Sequence, residues 1–358
     1  MDQRESYIES ELGARRLLPQ EDEKVVAAEH YIRVDKPFQP LPEATSALDR
    51  SRIAPNHVFF TWDIHYACNY NCTYCNTPKR VQPADMWTFR ERKRVVYPGL
   101  RRWLEVWSKI HDLYGSSEIH ITGGEPFIYP DFLELITELS KIHTLEIITN
   151  LAVDAKEIAA HVTPDRVRIG TTFHPEFADL RGFLEKHKAL RAGGFETWAN
   201  YVLYPPLLAE VPNYKREFDA LGIPFNLQPY LGWYNNKEYP MGYSDEELSF
   251  LKACYGSDDI VNKKTMEWKI GSPKRDMRGQ PCRMGQMYAK IYPTGDAYRC
   301  CASGGAYIGN LIEGTFQLNS EPLPCDGEHC HCWRGMLVSQ EEGWKRHWVI
   351  PHKQAVRA

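Results

Sequence analysis

Short apolar runs alternate with amphipathic stretches through the middle of this chain. Strand-like runs rich in β-branched and aromatic residues fall at 57–64 (HVFFTWDI), 117–122 (SEIHIT), 144–149 (TLEIIT), 166–173 (RVRIGTTF), 195–204 (FETWANYVLY) and 224–231 (PFNLQPYL). Apolar residues recur at helical spacing in 99–114, 131–142, 154–162, 179–193, 207–222 and 244–256. The helices at 179–193 and 207–222 end at glycine, and Ser244 with Glu247 offers a capping box to the last one. Six consecutive strand–helix units imply an α/β fold with a parallel sheet and right-handed crossovers. Periodicity alone leaves an open doubly wound sheet and a partial barrel both standing.

The flanks read differently. Residues 1–55 are dense in charge and proline and form a lead-in segment to a core at 56–257. In 258–358 basic residues, glycines and cysteines replace the alternation, which predicts a small cysteine-rich C-terminal domain with little regular structure. Inside it, MYAKIY, PTGD and AYRC read as a β-hairpin.

Composition narrows the class. A chain of 358 residues with 43% hydrophobic content suits one large α/β domain plus a smaller unit. A net charge of −4 argues against nucleic acid as the main partner. The opening MDQRESYIESELGARR has no apolar core of a secretory signal, and no run reaches the roughly 18 apolar residues of a membrane span. A cytoplasmic protein is expected. Its ten cysteines are clustered, three at 68–75 and six at 282–332, with Cys254 alone. Clustered cysteine in a cytoplasmic protein points to metal rather than disulfides.

The first cluster, HYACNYNCTYCNTP, follows the first strand, where parallel α/β folds place their chemistry. Three thiolates from one loop leave a fourth metal position open, whereas structural zinc wants four ligands. Cys68, Cys72 and Cys75, with Tyr74 before the last, resemble the signature of the radical S-adenosylmethionine (radical SAM) superfamily. The second element is ITGGEP, where Gly123, Gly124 and Glu125 match that family's glycine–glycine–glutamate motif at the end of the second strand. The resemblance covers roughly residues 57–232 and favours the partial (β/α)6 TIM-type barrel.

What the resemblance implies is specific. The three cysteines would hold a 4Fe-4S cluster whose open iron binds SAM. Reductive cleavage of SAM would give a 5′-deoxyadenosyl radical that takes hydrogen from substrate. Glu125 and the backbone at Gly123 and Gly124 would hold the SAM ammonium, and Tyr74 belongs to the same site. Thr149 and Asn150 would lie near the ribose, with His174, Tyr201 and Gln228 directed at the barrel mouth. Read without the resemblance, TGGEP is a strand-to-helix turn and these residues are ordinary polar strand ends.

Cys282 and Cys300, flanking the hairpin, resemble the opening of SPASM and twitch extensions, which hold auxiliary four-iron clusters. The regular cysteine run of a full SPASM domain is missing. One auxiliary cluster is therefore expected, held by Cys282, Cys300 and two of Cys325, Cys330 and Cys332, with Cys301 surplus. A zinc site using His329 or His331 is the rival, and reduced structural cysteines the third reading.

Lys79, Arg80, Arg90, Arg92, Lys93 and Arg94 follow the cysteine loop. They suit an acidic flavodoxin- or ferredoxin-type electron donor, an anionic substrate, or simply a solvated face. Cys254 is a candidate hydrogen-atom donor to a substrate radical, or a buried helix residue. The expected substrate is a small molecule undergoing oxidation, epimerisation or rearrangement. The lead-in is short for a peptide-recognition domain, no cobalamin-binding segment precedes the core, and HKQAVRA lacks a double-glycine tail. A peptide- or protein-modifying enzyme is the alternative, and a non-catalytic iron–sulfur or zinc module the third. Neither nucleic acid nor membrane is an expected partner.

Overall fold

The computed structural model describes residues 31–33, 58–75, 95–255, 278–300 and 305–325. In chain order these form β1 (Tyr31–Arg33), β2 (Phe59–His65), β3 (Val95–Tyr97), α1 (Leu100–Tyr114), β4 (Glu118–Gly123), α2 (Phe132–Leu139), β5 (Thr144–Thr149), α3 (Ala155–His161), β6 (Val167–Thr172), α4 (Leu180–Ala192), β7 (Glu196–Leu203), α5 (Val211–Ala220), β8 (Phe225–Pro229), β9 (Gly232–Tyr234), β10 (Lys237–Tyr239) and α6 (Asp245–Tyr255). After α6 come β11 (Pro281–Cys282), β12 (Tyr288–Ile291), β13 (Asp296–Tyr298), β14 (Tyr307–Asn310) and β15 (Leu323–Pro324).

Strands β2, β4, β5, β6, β7 and β8 lie side by side in chain order, all parallel. This is the α/β partial barrel, with each crossover made by one of the helices. Caps mark where the helices start. Asp154 accepts the N–H of Lys156 at 2.9 Å, and Asp179 that of Gly182 at 2.7 Å. Ser244 and Glu247 exchange N–H donors at 2.7 and 3.1 Å, the expected capping box. The helix expected over 207–222 begins later. Pro205–Glu210 is a 3-10 turn and α5 starts at Val211, because Pro212 is tolerated only in a first turn.

The two faces of the sheet differ by strand alternation. Phe60 and Trp62 meet the helices. Trp62 lies 4.6 Å from Trp103 and 5.3 Å from Trp107 between ring centroids, and all three are fully buried. Each such side chain contributes on the order of 1.5–3 kcal/mol through burial. Farther along, Phe173 packs on Phe183, and Phe218 stacks on Phe225 at 4.5 Å. The opposite, concave face carries polar and charged side chains. Arg168 pairs with Glu118 at 2.5 Å and Glu146 at 3.1 Å, and Glu146 with His120 at 2.7 Å.

Most of the C-terminal segment joins the barrel sheet, and among its described strands only the short β11–β15 pair stands apart. The predicted hairpin is present, with Lys290 opposite Tyr298 and Ile291 opposite Ala297. Its first strand, β12, then pairs parallel with β2, so that β14, β13 and β12 extend the barrel sheet to nine strands. Lys290 of β12 forms an ion pair with Asp63 of β2 across that seam. The chain therefore has more regular structure after residue 258 than its composition predicts.

Candidate functional site

The cysteine loop leaves β2 at the C-terminal edge of the sheet. Two hydrogen bonds dock it onto the turn after β4: Gly124 N–H donates to His65 O at 2.7 Å, and Glu125 N–H to Ala67 O at 2.9 Å. Side chains cannot enter this contact. A Cβ on Gly124 would lie 1.8 Å from Ala67 O, and one on Gly123, whose φ is +135°, would lie 2.0 Å from His65 O. The glycines thus bring two loops together, and the Gly124 and Glu125 amides are already engaged there.

Glu125 is 1% exposed, and its carboxylate braces the tip of β5. Oε1 accepts from Thr149 Oγ1 at 2.7 Å and from Phe127 N–H at 3.1 Å, and Oε2 from Asn150 N–H at 2.6 Å. Burial raises its pKa to about 7, against the lowering effect of the three donors. The next residue, Leu151, has φ +57°, unusual for a residue with a branched side chain. Lys186 of α4 holds this turn by donating to Leu151 O at 2.8 Å and Ala152 O at 3.0 Å. Asn150 is thereby aimed at the cysteine loop. Its Nδ2 donates to Asn69 Oδ1 at 2.7 Å and lies 3.7 Å from Cys68 Sγ.

A third element grips the loop, the turn HPEF after β6. His174 Nδ1 is 3.4 Å from Cys72 Sγ and 3.1 Å from the Tyr74 hydroxyl, and its ring stacks on Tyr74. Burial lowers the His174 pKa to about 4 and raises those of Cys72 and Tyr74. Thr73 donates its N–H to Glu176 Oε2 at 2.9 Å and its hydroxyl to Oε1. Phe177 stacks on Tyr70 at 5.0 Å. Glu176 and Phe177 were not legible as loop contacts, since their partners are about a hundred residues away along the chain.

The remaining expected residues fall in three groups. Gln228 stands on the concave face, because its neighbour Phe225 faces α5. Tyr201 does not point into the mouth. It packs against Tyr214 of α5 and donates to Leu207 O at 3.2 Å, since odd positions of β7 face the helices. Cys254 lies in α6, which packs on α5; burial raises its pKa, and Lys215 of α5 lowers it in part. The structure does not bring it to the cysteine loop.

At the other end of the seam, Cys282, Cys300 and Cys325 gather around Phe59, Met284 and Tyr288. Pairing of β11 with β15 sets Cys282 opposite Leu323, and Cys325 N–H donates to Gln280 O at 2.8 Å. Arg299, 5% exposed, ties the three segments. It donates to Met284 O at 3.2 Å, Pro324 O at 2.8 Å and Leu323 O at 3.0 Å. Cys301, Cys330, Cys332, both interleaved histidines and the basic run at 79–94 lie outside the described residues. Among the described residues, no three His, Cys, Asp or Glu side chains converge tightly enough for a single metal ion.

The radical SAM superfamily model matches residues 62–210, the stretch that holds all three gripping elements. The chain carries a radical SAM domain. Over 262 residues it is 21% identical to the PqqA peptide cyclase of Gluconobacter oxydans, covering 67% of this chain and 69% of that protein. It is 35% identical over 122 residues to the 7-carboxy-7-deazaguanine synthase of Methanothermobacter thermautotrophicus, covering 29% of this chain and 44% of that one. A solved structure, native anSMEcpe with bound AdoMet, superposes with TM-score 0.49 at 15% identity, over 74% of this chain and 81% of that one. The domain and the cyclase and synthase relatives support a radical SAM enzyme, and the family implies a 4Fe-4S cluster, SAM and an electron donor. The donor set suits such a cluster: three sulfurs from one loop, with the Tyr70 N–H directed at Cys68 Sγ at 3.4 Å. Among the described residues, no helix is long and apolar enough to cross a membrane.

Proposed function

We propose that this radical SAM enzyme modifies a peptide. When bound, the cluster and SAM supply one-electron cleavage of a sulfonium C–S bond and hydrogen-atom abstraction. The chain's own part is to hold and orient. Cys68, Cys72 and Cys75 hold the cluster. Glu125 and Asn150, with the backbone at Gly123 and Gly124, shape the SAM side of the mouth, and Tyr74 and His174 back the loop.

The observation that carries the peptide reading is a row of carboxamides. Asn200 and Asn226 are register partners on β7 and β8, and Gln228 follows one pleat farther along. All three are half-buried on the concave face and make no side-chain hydrogen bond to another described residue. Carboxamides both donate and accept, as a peptide backbone does. A nucleotide phosphate asks instead for Arg or Lys. The two cations described on this face, Arg168 and Lys290, are held by carboxylates. The long alignment to a peptide cyclase agrees with this choice. A small-molecule substrate is the second reading, favoured by the 35% identity to a deazaguanine synthase.

Cys282, Cys300 and Cys325, with Cys330 or Cys332, hold an auxiliary four-iron cluster in this reading, and zinc is the rival occupant. An acidic flavodoxin- or ferredoxin-type protein supplies electrons. In the test, reduced enzyme and SAM meet either short peptides translated from reading frames flanking its gene, or purine nucleotides. A mass change in a peptide, with 5′-deoxyadenosine released, supports the reading. A converted nucleotide beside unchanged peptides overturns it. Iron, sulfide and zinc counts on the C68A/C72A/C75A variant address the second site, where about four irons should remain.

A further inference from the structure

We infer that His174 is a positioning residue for the cluster, donating its Nδ1–H to the Cys72 thiolate and so raising the cluster's reduction potential. The inference rests on the radical SAM reading and adds to it a residue outside the cysteine and glycine motifs. His174 follows the end of β6, where Phe173 N–H still bonds Asn200 O at 2.9 Å. The turn beyond is closed on His174 itself, whose carbonyl accepts the N–H groups of Phe177 at 3.0 Å and Ala178 at 2.9 Å. The ring is fixed by stacking on Tyr74, with centroids 5.7 Å apart and planes 21° from parallel.

From this rigid mount, Nδ1 reaches Cys72 Sγ at 3.4 Å. A metal-bound thiolate only accepts hydrogen bonds, so a nitrogen held at that distance carries the hydrogen. The neighbouring Tyr74 hydroxyl, 3.1 Å from the same nitrogen, can rotate to suit. Reduction adds negative charge to the cluster. A donor on one of its sulfurs stabilises the reduced form more than the oxidised form, which raises the potential.

The rest of the turn serves the same end. Glu176 fixes the backbone at Thr73, the residue after Cys72, and Phe177 covers Tyr70. Cys72 is thus held from both sides by a segment a hundred residues downstream.

The experiment is an EPR-monitored redox titration of the reconstituted enzyme, following the signal that shifts when SAM is added. His174→Phe keeps a ring against Tyr74 and removes the donor. His174→Asn returns an N–H close to the Nδ1 position. The expected result is full iron and sulfide in both, with the reduced-to-oxidised ratio at fixed potential down about tenfold in H174F and restored in H174N. A tenfold change corresponds to about 59 mV for a one-electron couple. Equal potentials in wild type and an iron-loaded H174F would overturn the inference. If H174F takes up no iron, the comparison moves to H174N and H174L, which are close in size and differ in the donor. Equal potentials in that pair also overturn it. A wild type that binds no iron defeats the underlying radical SAM reading instead, so the two failures are distinct.

Discussion

Glu125 Oε2 accepts the backbone N–H of Asn150 at 2.6 Å, tying the turn after β4 to the tip of β5. In Glu125→Gln one amide oxygen can still serve Thr149 and Phe127, but the NH2 then faces the Asn150 N–H. Two opposed buried donors cost about 1–3 kcal/mol. The tip of β5 should shift and carry Asn150 off Asn69. SAM affinity of the iron-loaded E125Q enzyme, measured by calorimetry, should fall at least tenfold with the iron content kept. Wild-type affinity would return Glu125 to a purely local cap.

Gly124→Ala puts a methyl where Ala67 O stands, at 1.8 Å. Neither loop can give without losing the paired bonds to His65 and Ala67. A cost of about 3 kcal/mol or more is expected. Because the cysteine loop moves, G124A should lose the iron of the SAM cluster while keeping the metal proposed for the C-terminal site. Full iron uptake by G124A would show that the close approach is dispensable.

Lys290 and Asp63 are each 12% exposed in their side chains and join the C-terminal hairpin to the first barrel strand. Tyr66 of the cysteine loop donates to the same carboxylate at 2.8 Å. Lys290→Met strands Asp63 and should cost about 3–5 kcal/mol. Adding Asp63→Asn should recover part of this. Denaturant melts of the two single variants and the double variant measure the coupling. Strict additivity would mean that the seam is held by strand pairing alone.

Arg299 donates to three carbonyls on two segments that carry cysteines. Arg299→Met leaves those acceptors without the guanidinium, each such bond being worth on the order of 1.5–3 kcal/mol. The metal proposed for Cys282, Cys300 and Cys325 should fall while the SAM-cluster iron stays. In the otherwise unchanged chain R299M should keep about four irons, and metal analysis of R299M in the C68A/C72A/C75A background reads the loss itself. Unchanged metal there would leave Arg299 as a packing residue.

Local chemistry was legible in the sequence and long-range pairing was not. The cysteine spacing, the GGE turn and the Ser244 capping box are all set within a few residues, and each stands where the pattern puts it. The six parallel strands follow from repeated alternation. Which parity of a strand faces the helices is a different matter. FETWANYVLY is mixed on both faces, so Tyr201 was expected in the mouth although it packs on Tyr214. Glu176 meets Thr73 across 103 positions, and Lys290 meets Asp63 across 227. MYAKIY marks β12 as a hairpin strand, but no periodicity within its four residues announces a partner that distant.

Buried histidines set the pH response. His143 Nδ1 accepts the Ser117 N–H at 3.1 Å, and its Nε2–H donates to Trp107 O at 3.1 Å. A second proton would face Ser117 N–H with another donor, and burial lowers the pKa to about 4 from 6.5. His187, between the hydroxyls of Thr171 and Thr197, is lowered to about 4 in the same way. Between pH 6.5 and 4 the unfolded chain therefore binds more protons than the native one, and stability falls as pH falls through that window. At pH 5 each histidine should withdraw about 2 kcal/mol relative to pH 7. Glu125 works the other way. Its pKa is raised to about 7, so the native state binds the extra proton and stability falls as pH rises from 4.5 to 7. The net slope of the wild type mixes both signs, and a variant is needed to separate them. His143→Gln keeps an acceptor and a donor and does not titrate. The stability difference between pH 7 and pH 5, from urea melts, should shift in H143Q by about 2 kcal/mol in favour of pH 5. The same difference in both proteins would mean that His143 is protonated in the native state despite Ser117.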